Sequence, residues 1–258
     1  MFHIGDFKIG KMLYDTDHLW IGNVLHEHGE YSPNEVKLME DIVEPGFHII
    51  EGGSNIGCLT IPMAKKTGPT GRVVAFEAQP QTAAILSANV VMNGLIDVVD
   101  VNESFLGSLL DNGVKASIPL YPISVPRNVG GITKLNKKFG NTVSVNIEEI
   151  DYILYVLQWD RLDLIKLDVE GNEMSALRGA EQAIRRHKPI LYVENNPFDI
   201  PPDENNPDGR KSNPKGLIDY LSGLDYICFW HTPAIYEGSN VISHNMICYH
   251  KDDERIPK

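Results

Sequence analysis

Cysteine is scarce in this sequence: the chain of 258 residues has three, at Cys58, Cys228 and Cys248. They show no C-x-x-C spacing, and an odd number argues against a disulfide framework. Long apolar stretches are missing as well, because no run reaches the about 20 residues that span a bilayer. The first residues, MFHIGDFKIGK, lack the apolar centre of a signal peptide. These absences predict a cytoplasmic protein without a membrane partner.

Basic residues are also few: 23 Lys and Arg stand against 35 Asp and Glu, which gives a net charge of −12. A protein that binds the nucleic-acid backbone normally presents a basic face, because the release of counterions drives that binding. No cluster of Lys or Arg here is larger than a pair. The sequence therefore predicts no nucleic-acid partner.

The middle of the chain alternates short apolar runs with helical stretches, and 42% hydrophobic residues suffice for a full core. The runs typical of strands are FHIIE (47–51), RVVAFE (72–77), DVVDVN (97–102), DLIKLD (163–168) and ILYVE (190–194). Helical patterns occupy 55–66, 80–92 and 173–186. This alternation predicts an α/β fold with a parallel sheet and helices on both faces.

The last part of the chain departs from this alternation. A helix near 214–223 is followed by two strands, YICFW (226–230) and NMICYH (245–250). Only about fifteen residues lie between them and these show no helix pattern, so the two strands should pair antiparallel. The result is a seven-stranded Rossmann-like sheet of order 3-2-1-4-5-7-6, in which 245–250 is the antiparallel strand.

The remaining segments surround this core. Residues 1–30 alternate loosely and predict a small β-rich N-terminal extension to a main domain at 31–258. Residues 107–147 predict an insertion with short strands before the fourth strand, and 199–216 a polar, proline-rich loop. The segment SPNE at 32–35 predicts a helix start, with serine as cap and glutamate three residues on.

The segment EGGSNIG at 51–57 ends the first strand of the alternation. Its glycines let a ligand lie against the main chain. A dinucleotide would favour G-x-G-x-x-G, which is missing, and Glu51 would repel a pyrophosphate. The acid suits a cationic ligand such as S-adenosylmethionine, which carries an ammonium and a sulfonium. Glu77, at the end of the second strand, is placed to accept both ribose hydroxyls.

Several motifs carry a family resemblance. GGSNIG, GPTGRVVAFEAQP, ANVVMNGL, DLIKLDVEGNEMSALRGA and the tail LYVENN…FWHTPAIY…SHNMICYHK resemble the FkbM family of S-adenosylmethionine-dependent methyltransferases. The likeness runs from about Glu30 almost to the C-terminus. It implies a class I methyltransferase fold and O-methylation of a small molecule or a sugar.

The same resemblance implies which residues bind the cofactor. The positions that match the family's motifs are Glu51, Gly53, Asn55, Gly57 and Glu77. Asn55 is expected to cap the following helix and to face the methionine carboxylate. Glu103, just beyond the third strand, is a candidate for the adenine amino group, with a surface carboxylate as the alternative.

The acceptor hydroxyl must lose its proton, and two routes stay open. Asp168 follows the fourth strand and Glu194 and Asn195 the fifth, an arrangement similar to that of catechol-type O-methyltransferases, which hold magnesium. In the metal-free route, His231 of the final hairpin is the general base, and Asp168 positions the acceptor or the cofactor. Glu170 is a further catalytic candidate in either route.

Lys166 precedes Asp168 in the same strand. Alternation points its side chain to the face opposite Leu167, and the strand is buried. We therefore expect Lys166 to take no part in balancing the acids.

Other functions remain as alternatives. The same cofactor would serve N- or C-methylation, and a nucleotide-binding oxidoreductase or an inactive Rossmann-like module would share the fold. The missing G-x-G-x-x-G disfavours the oxidoreductase, and the polar groups at the strand ends disfavour the inactive module. A homodimer is compatible with the sequence.

Overall fold

The computed structural model of the protein describes residues 1–16, 20–119, 142–196, 213–231 and 244–257. Its strands are β1 (Phe2–Phe7), β2 (Gly10–Asp15), β3 (His48–Gly52), β4 (Arg72–Phe76), β5 (Val99–Asn102), β6 (Ser104–Leu106), β7 (Lys115–Pro119), β8 (Thr142–Glu148), β9 (Leu164–Leu167), β10 (Ile190–Glu194), β11 (Tyr226–His231) and β12 (Asn245–His250). Its helices are α1 (Trp20–His28), α2 (Pro33–Ile42), α3 (Thr60–Thr67), α4 (Pro80–Met92), α5 (Leu109–Asn112), α6 (Ile150–Leu157), α7 (Glu173–Arg178), α8 (Glu181–His187) and α9 (Pro214–Ser222).

Seven of the described strands form one sheet in the order β11-β12-β10-β9-β3-β4-β5. Strand β12 runs antiparallel to β10 and to β11, whereas the other neighbours are parallel. Numbered along the chain, these strands have the order 3-2-1-4-5-7-6, so the predicted sheet is confirmed. The carboxyl ends of the parallel strands meet at one edge, where ligands of such sheets bind.

The central strands are apolar throughout because helices cover both faces of the sheet. Ile49 and Leu164 pack with α2, α3 and α4 on one face. The adjacent residues, Ile50 and Ile165, pack with α6, α7, α8 and α9 on the other. Consecutive residues of one strand therefore belong to different cores, and this alternation also decides which polar side chains meet.

The N-terminal extension is only partly β-structure. Strands β1 and β2 pair antiparallel as a hairpin, but residues 20–28 form helix α1. The helix is favoured because Ile21 and Leu25 lie one turn apart and contact the same core. The hairpin is fixed to α4 by Asn89, whose Oδ1 accepts from the Leu13 amide at 2.6 Å and whose Nδ2 donates to the Leu13 carbonyl at 3.1 Å.

Two of the predicted helices differ in their bounds. Helix α3 begins at Thr60 rather than at residue 55, because positive-φ glycines occupy the turn before it. The stretch 173–186 is divided into α7 and α8 at Gly179, where a Cβ atom would lie 2.6 Å from the carbonyl oxygen of Gly107. Among the described residues, no helix has the length and apolar character that crossing a membrane requires.

The predicted insertion contains short strands as expected. Strands β6, β8 and β7 form a separate three-stranded sheet in that order. Its small core consists of Phe105, Ala116, Ile118, Val145 and Ile147. Residues 120–141 of the insertion, and 199–212 of the polar loop, lie outside the described residues.

Candidate functional site

The turn after β3 depends on glycine. At Gly53 φ is +72°, and a Cβ atom would stand 1.7 Å from the carbonyl oxygen of Asp168. Gly57 has φ +96°. The amides of Gly53 and Ser54 both donate to the Phe76 carbonyl at 3.0 Å. The bare main chain of this turn therefore lies between the ends of β4 and β9, where a ligand can approach it closely.

Glu77 is buried beside this turn and held by backbone amides. Its Oε2 accepts from the amide of Asn55 at 2.9 Å, and its Oε1 from the amide of Gln79 at 2.8 Å. Burial raises the pKa of Glu77 to about 7, although both hydrogen bonds oppose this. Asn55 does not cap α3, which begins at Thr60; its Oδ1 accepts from the Ile56 amide at 2.9 Å instead.

Lys166 lies among the acids, contrary to expectation. Strand register places it opposite Glu51, so the two side chains share a face of the sheet. Its Nζ lies 4.0 Å from both Glu51 Oε1 and Asp168 Oδ2, and donates to the Gly53 carbonyl at 3.1 Å. Burial works against the charge, but the surrounding acids leave the pKa of Lys166 above its ordinary value.

Glu51 is also buried, at 1% exposure. Its Oε2 accepts from the hydroxyl of Thr60 at 2.5 Å, and its Oε1 has no hydrogen-bond partner within the described part of the chain. Burial raises the pKa of Glu51, while Lys166 lowers it. A buried acceptor oxygen with unused lone pairs is suited to a positively charged or hydrogen-bonding ligand.

A cleft opens beside these groups, at the carboxyl edge of the sheet. It is lined by four of the predicted site residues and by apolar groups of the three-stranded sheet, in particular Gly53, Glu77, Asp168, Glu170, Phe105 and Ile118. The Asp168 side chain is 37% exposed, and Glu170 has φ +53°. Glu103 is exposed at the surface, next to the cleft residues Ser104 and Phe105.

A second polar cluster lies towards β11, on the face of the sheet that carries Glu51 and Lys166. The hydroxyl of Tyr192 donates to Glu35 Oε1 at 3.0 Å and lies 2.8 Å from His231 Nδ1. Asn245 Nδ2 donates to Glu35 Oε1 at 2.7 Å and to the Tyr192 oxygen at 3.0 Å. Ser32 Oγ donates to Glu35 Oε2. The predicted base His231 is therefore tied to a buried carboxylate through one tyrosine.

Sequence reasoning missed Glu35 and Tyr192 and misjudged Lys166. A lysine in the apolar run DLIKLD was a usable signal, because a buried charge requires a partner. Glu35 was assigned to a capping motif, but Ser32 has φ 41° and its side chain makes no cap hydrogen bond. No local pattern indicates the role of Tyr192.

Comparison with known proteins decides the family. The sequence profile described as Methyltransferase FkbM domain matches residues 51–228, more than half of the chain. The chain belongs to the FkbM methyltransferase family.

Relatives of this FkbM chain include Methyltransferase sdnD of Sordaria araneosa, 27% identical over 160 residues, which are 52% of this chain and 60% of that protein. Methyltransferase 1 of Beauveria bassiana is 28% identical over 151 residues, with 52% and 58% covered. The chain thus spans about three fifths of the length of these relatives. Cofactor-bound Rv0187 from MTB superposes with a TM-score of 0.52 at 17% identity, over 88% of this chain and 84% of that one. That likeness shows the fold.

The predicted magnesium ligands of this FkbM domain do not converge. Asn195 Nδ2 donates to the Pro214 carbonyl and to Met246 Sδ, each at 3.2 Å, on the face of the sheet opposite Tyr192. Glu194 lies on the Tyr192 face, because alternate residues of a strand point the same way. Within the described ranges, no group of three or more His, Cys, Asp or Glu could hold a metal ion. We assign no step to magnesium.

Proposed function

We propose that this protein transfers a methyl group from S-adenosylmethionine to a hydroxyl of a small molecule or sugar. The observation that carries the proposal is the cleft in which the bare backbone of Gly53 and the buried carboxylate of Glu77 meet at the carboxyl edge of the sheet. Membership of the FkbM family supports the reaction class. The cofactor, when bound, supplies an electrophilic methyl group on a sulfonium.

The residues of the cleft fit this cofactor. Each oxygen of Glu77 accepts one backbone amide and keeps a lone pair, so the carboxylate can accept both ribose hydroxyls. Glu51 and Asp168 lie near the turn and favour a cation over a pyrophosphate. Lys166 offsets part of their charge and holds the Gly53 carbonyl in place.

The acceptor site lies over β10, between Asp168 and His231. Strands β9 and β11 are separated by β10 and β12, so their backbones are about 14 Å apart at about 4.8 Å per strand. A sugar-sized acceptor would span most of the distance between the two side chains. Asp168, exposed at the cleft, orients the hydroxyl, and His231 takes its proton.

Binding calorimetry tests the class of cofactor. We expect S-adenosylmethionine and S-adenosylhomocysteine to bind and NAD not to bind. Glu77→Gln should weaken the binding of S-adenosylmethionine at least about tenfold, because hydrogen bonds to a charged group are worth about 1.5–3 kcal/mol each. Asp100→Asn removes an exposed carboxylate from the neighbouring strand β5 and should leave the affinity within about twofold. Unchanged affinity in Glu77→Gln would place the ribose elsewhere.

Cofactor affinity should also depend on pH through Glu77. Its pKa of about 7 means that the ribose-accepting carboxylate forms as the pH rises from 6 to 8. 5′-Methylthioadenosine is the suitable probe, because an α-amino group itself titrates at about 7.7–8.0. Its affinity should increase about tenfold over this range, as the ionised fraction does, and the increase should disappear in Glu77→Gln. An affinity independent of pH in the wild type would contradict this assignment.

A further inference from the structure

The cluster around Glu35 has a defined direction of hydrogen bonding. Tyr192 has a single hydroxyl proton, and it donates that proton to Glu35 Oε1. Asn245 Nδ2 donates to the Tyr192 oxygen. While Glu35 is ionised, His231 Nδ1, which lies 2.8 Å from the same oxygen, faces only an acceptor and must therefore donate a proton.

We propose that Glu35 and Tyr192 are positioning residues that hold His231 in the tautomer protonated on Nδ1. A neutral imidazole carries one proton, so this tautomer leaves the lone pair on Nε2. Provided that the proposed methyl transfer is correct, Nε2 is the atom that accepts the proton of the acceptor hydroxyl. The tautomer itself follows from the hydrogen bonds and not from the reaction.

The surroundings of Glu35 support its role as the fixed end of the hydrogen-bond network that leads to His231. Its carboxylate receives three donors, from Ser32, Tyr192 and Asn245. Glu35 is 5% exposed and Tyr192 is 1% exposed, so water does not compete for these bonds. A buried carboxylate costs stability unless it is hydrogen-bonded, and an apolar residue would serve the core better. The position of Glu35 is therefore explained by what it orients.

His231 is also placed where a base would act. It ends β11, which is parallel to β10 because both run antiparallel to β12. Its side chain therefore lies at the same carboxyl edge of the sheet as the cleft. The rings of Tyr192 and His231 meet edge to face, with centroids 5.7 Å apart, so the tyrosine ring restricts the plane of the imidazole.

Nitrogen-15 NMR of the histidine side chains tests the tautomer without knowledge of the acceptor. The chain has nine histidines, and loss of one set of signals in His231→Asn assigns the set of interest. In the wild type we expect His231 to be neutral at pH 8 with the proton on Nδ1. A proton on Nε2 would overturn the inference at once.

Two variants test the dependence on Glu35 and Tyr192. In Glu35→Leu the acceptor of the Tyr192 proton is removed, so the tyrosine proton turns to His231 Nδ1 and the imidazole proton moves to Nε2. In Tyr192→Phe the acceptor of the Nδ1 proton is lost, and the preference for that tautomer should be lost with it. Tyr226→Phe is the matched control, because it removes another buried hydroxyl of this sheet, bonded to the Pro189 carbonyl at 2.8 Å, without touching His231.

The outcomes separate the inference from the proposed function. Loss of the Nδ1 proton in Glu35→Leu and in Tyr192→Phe, with its retention in Tyr226→Phe, supports the inference. Retention of that proton in both network variants would overturn it. Calorimetry of the wild type with S-adenosylmethionine is an independent measurement: failure to bind would remove the proposed methyl transfer and leave the tautomer result standing.

Discussion

Replacing Gly53 by alanine is expected to destabilise the protein by about 2–5 kcal/mol and to abolish binding of S-adenosylmethionine. A non-glycine residue in the left-handed region costs about 1–2 kcal/mol, and φ is +72° here. The added Cβ would also lie 1.7 Å from the Asp168 carbonyl oxygen. Because that oxygen is backbone, the end of β9 must move, and overpacking of this kind costs about 1–3 kcal/mol more.

Gly94→Ala is the matched control. Its φ of +67° is nearly the same, but nothing lies within 4 Å of the added Cβ. This variant should be destabilised only by the conformational cost of the left-handed region, about 1–2 kcal/mol. Urea denaturation of both variants gives the difference, which measures the clash at Gly53. Equal losses in the two variants would show that the turn after β3 is not packed against β9 as described.

The parts of the fold that were predictable from the sequence are those with local signals. The apolar runs of the central strands and the glycines at Gly53 and Gly57 are contiguous in the chain, and each has a direct structural meaning. The antiparallel pair β11–β12 followed from the short separation of two strand-like segments. Glu77 was found because it ends a strand whose neighbour carries the glycine turn.

The relations that were missed depend on register between distant strands. Alternation correctly puts Lys166 on the face opposite Leu167, but only the pairing of β9 with β3 reveals that Glu51 lies on that face. Likewise Glu35 fits a helix-start motif, and its true partners, Tyr192 and Asn245, are 157 and 210 residues away in the chain. No pattern within a window of the sequence contains such pairs.

The proposed metal set failed for a related reason. Asp168, Glu194 and Asn195 do follow adjacent strands, which was the basis of the prediction. However, Glu194 and Asn195 are consecutive, and consecutive side chains leave a strand on opposite faces. The amide of Asn195 meets Met246 instead of the cleft. Packing decides whether the chain bends enough after the strand to bring two such neighbours together. The motif alone carries no information about that packing.

Lys166→Met should destabilise the protein by about 3–5 kcal/mol, the usual cost of removing one partner of a buried ion pair. Methionine is unbranched and only one atom shorter than lysine, so the loss arises mainly from the charge. Glu51 would keep its buried carboxylate without the cation that now lies 4.0 Å from it. Urea denaturation at pH 8 measures the loss.

The control shows that burial matters more than distance. Lys188 and Asp252 are closer, at 2.7 Å, but their side chains are 45% and 60% exposed. Lys188→Met should therefore cost no more than about 1 kcal/mol, as exposed pairs do. A loss as large as that of Lys166→Met would contradict the assignment of the effect to a buried charge.

The loss in Lys166→Met should shrink as the pH falls. Burial raises the pKa of Glu51 and Lys166 lowers it, so removal of the lysine raises that pKa further. An acid whose pKa is higher in the folded state takes up its proton on folding, and its contribution to stability is lost as the pH rises. The stability of Lys166→Met should therefore approach that of the wild type as the pH falls from 8 to 5. At pH 8, adding Glu51→Gln to Lys166→Met should restore part of the lost stability. If the double variant is no more stable than Lys166→Met at pH 8, the lysine supports the fold by its contact with the Gly53 carbonyl and not by balancing Glu51.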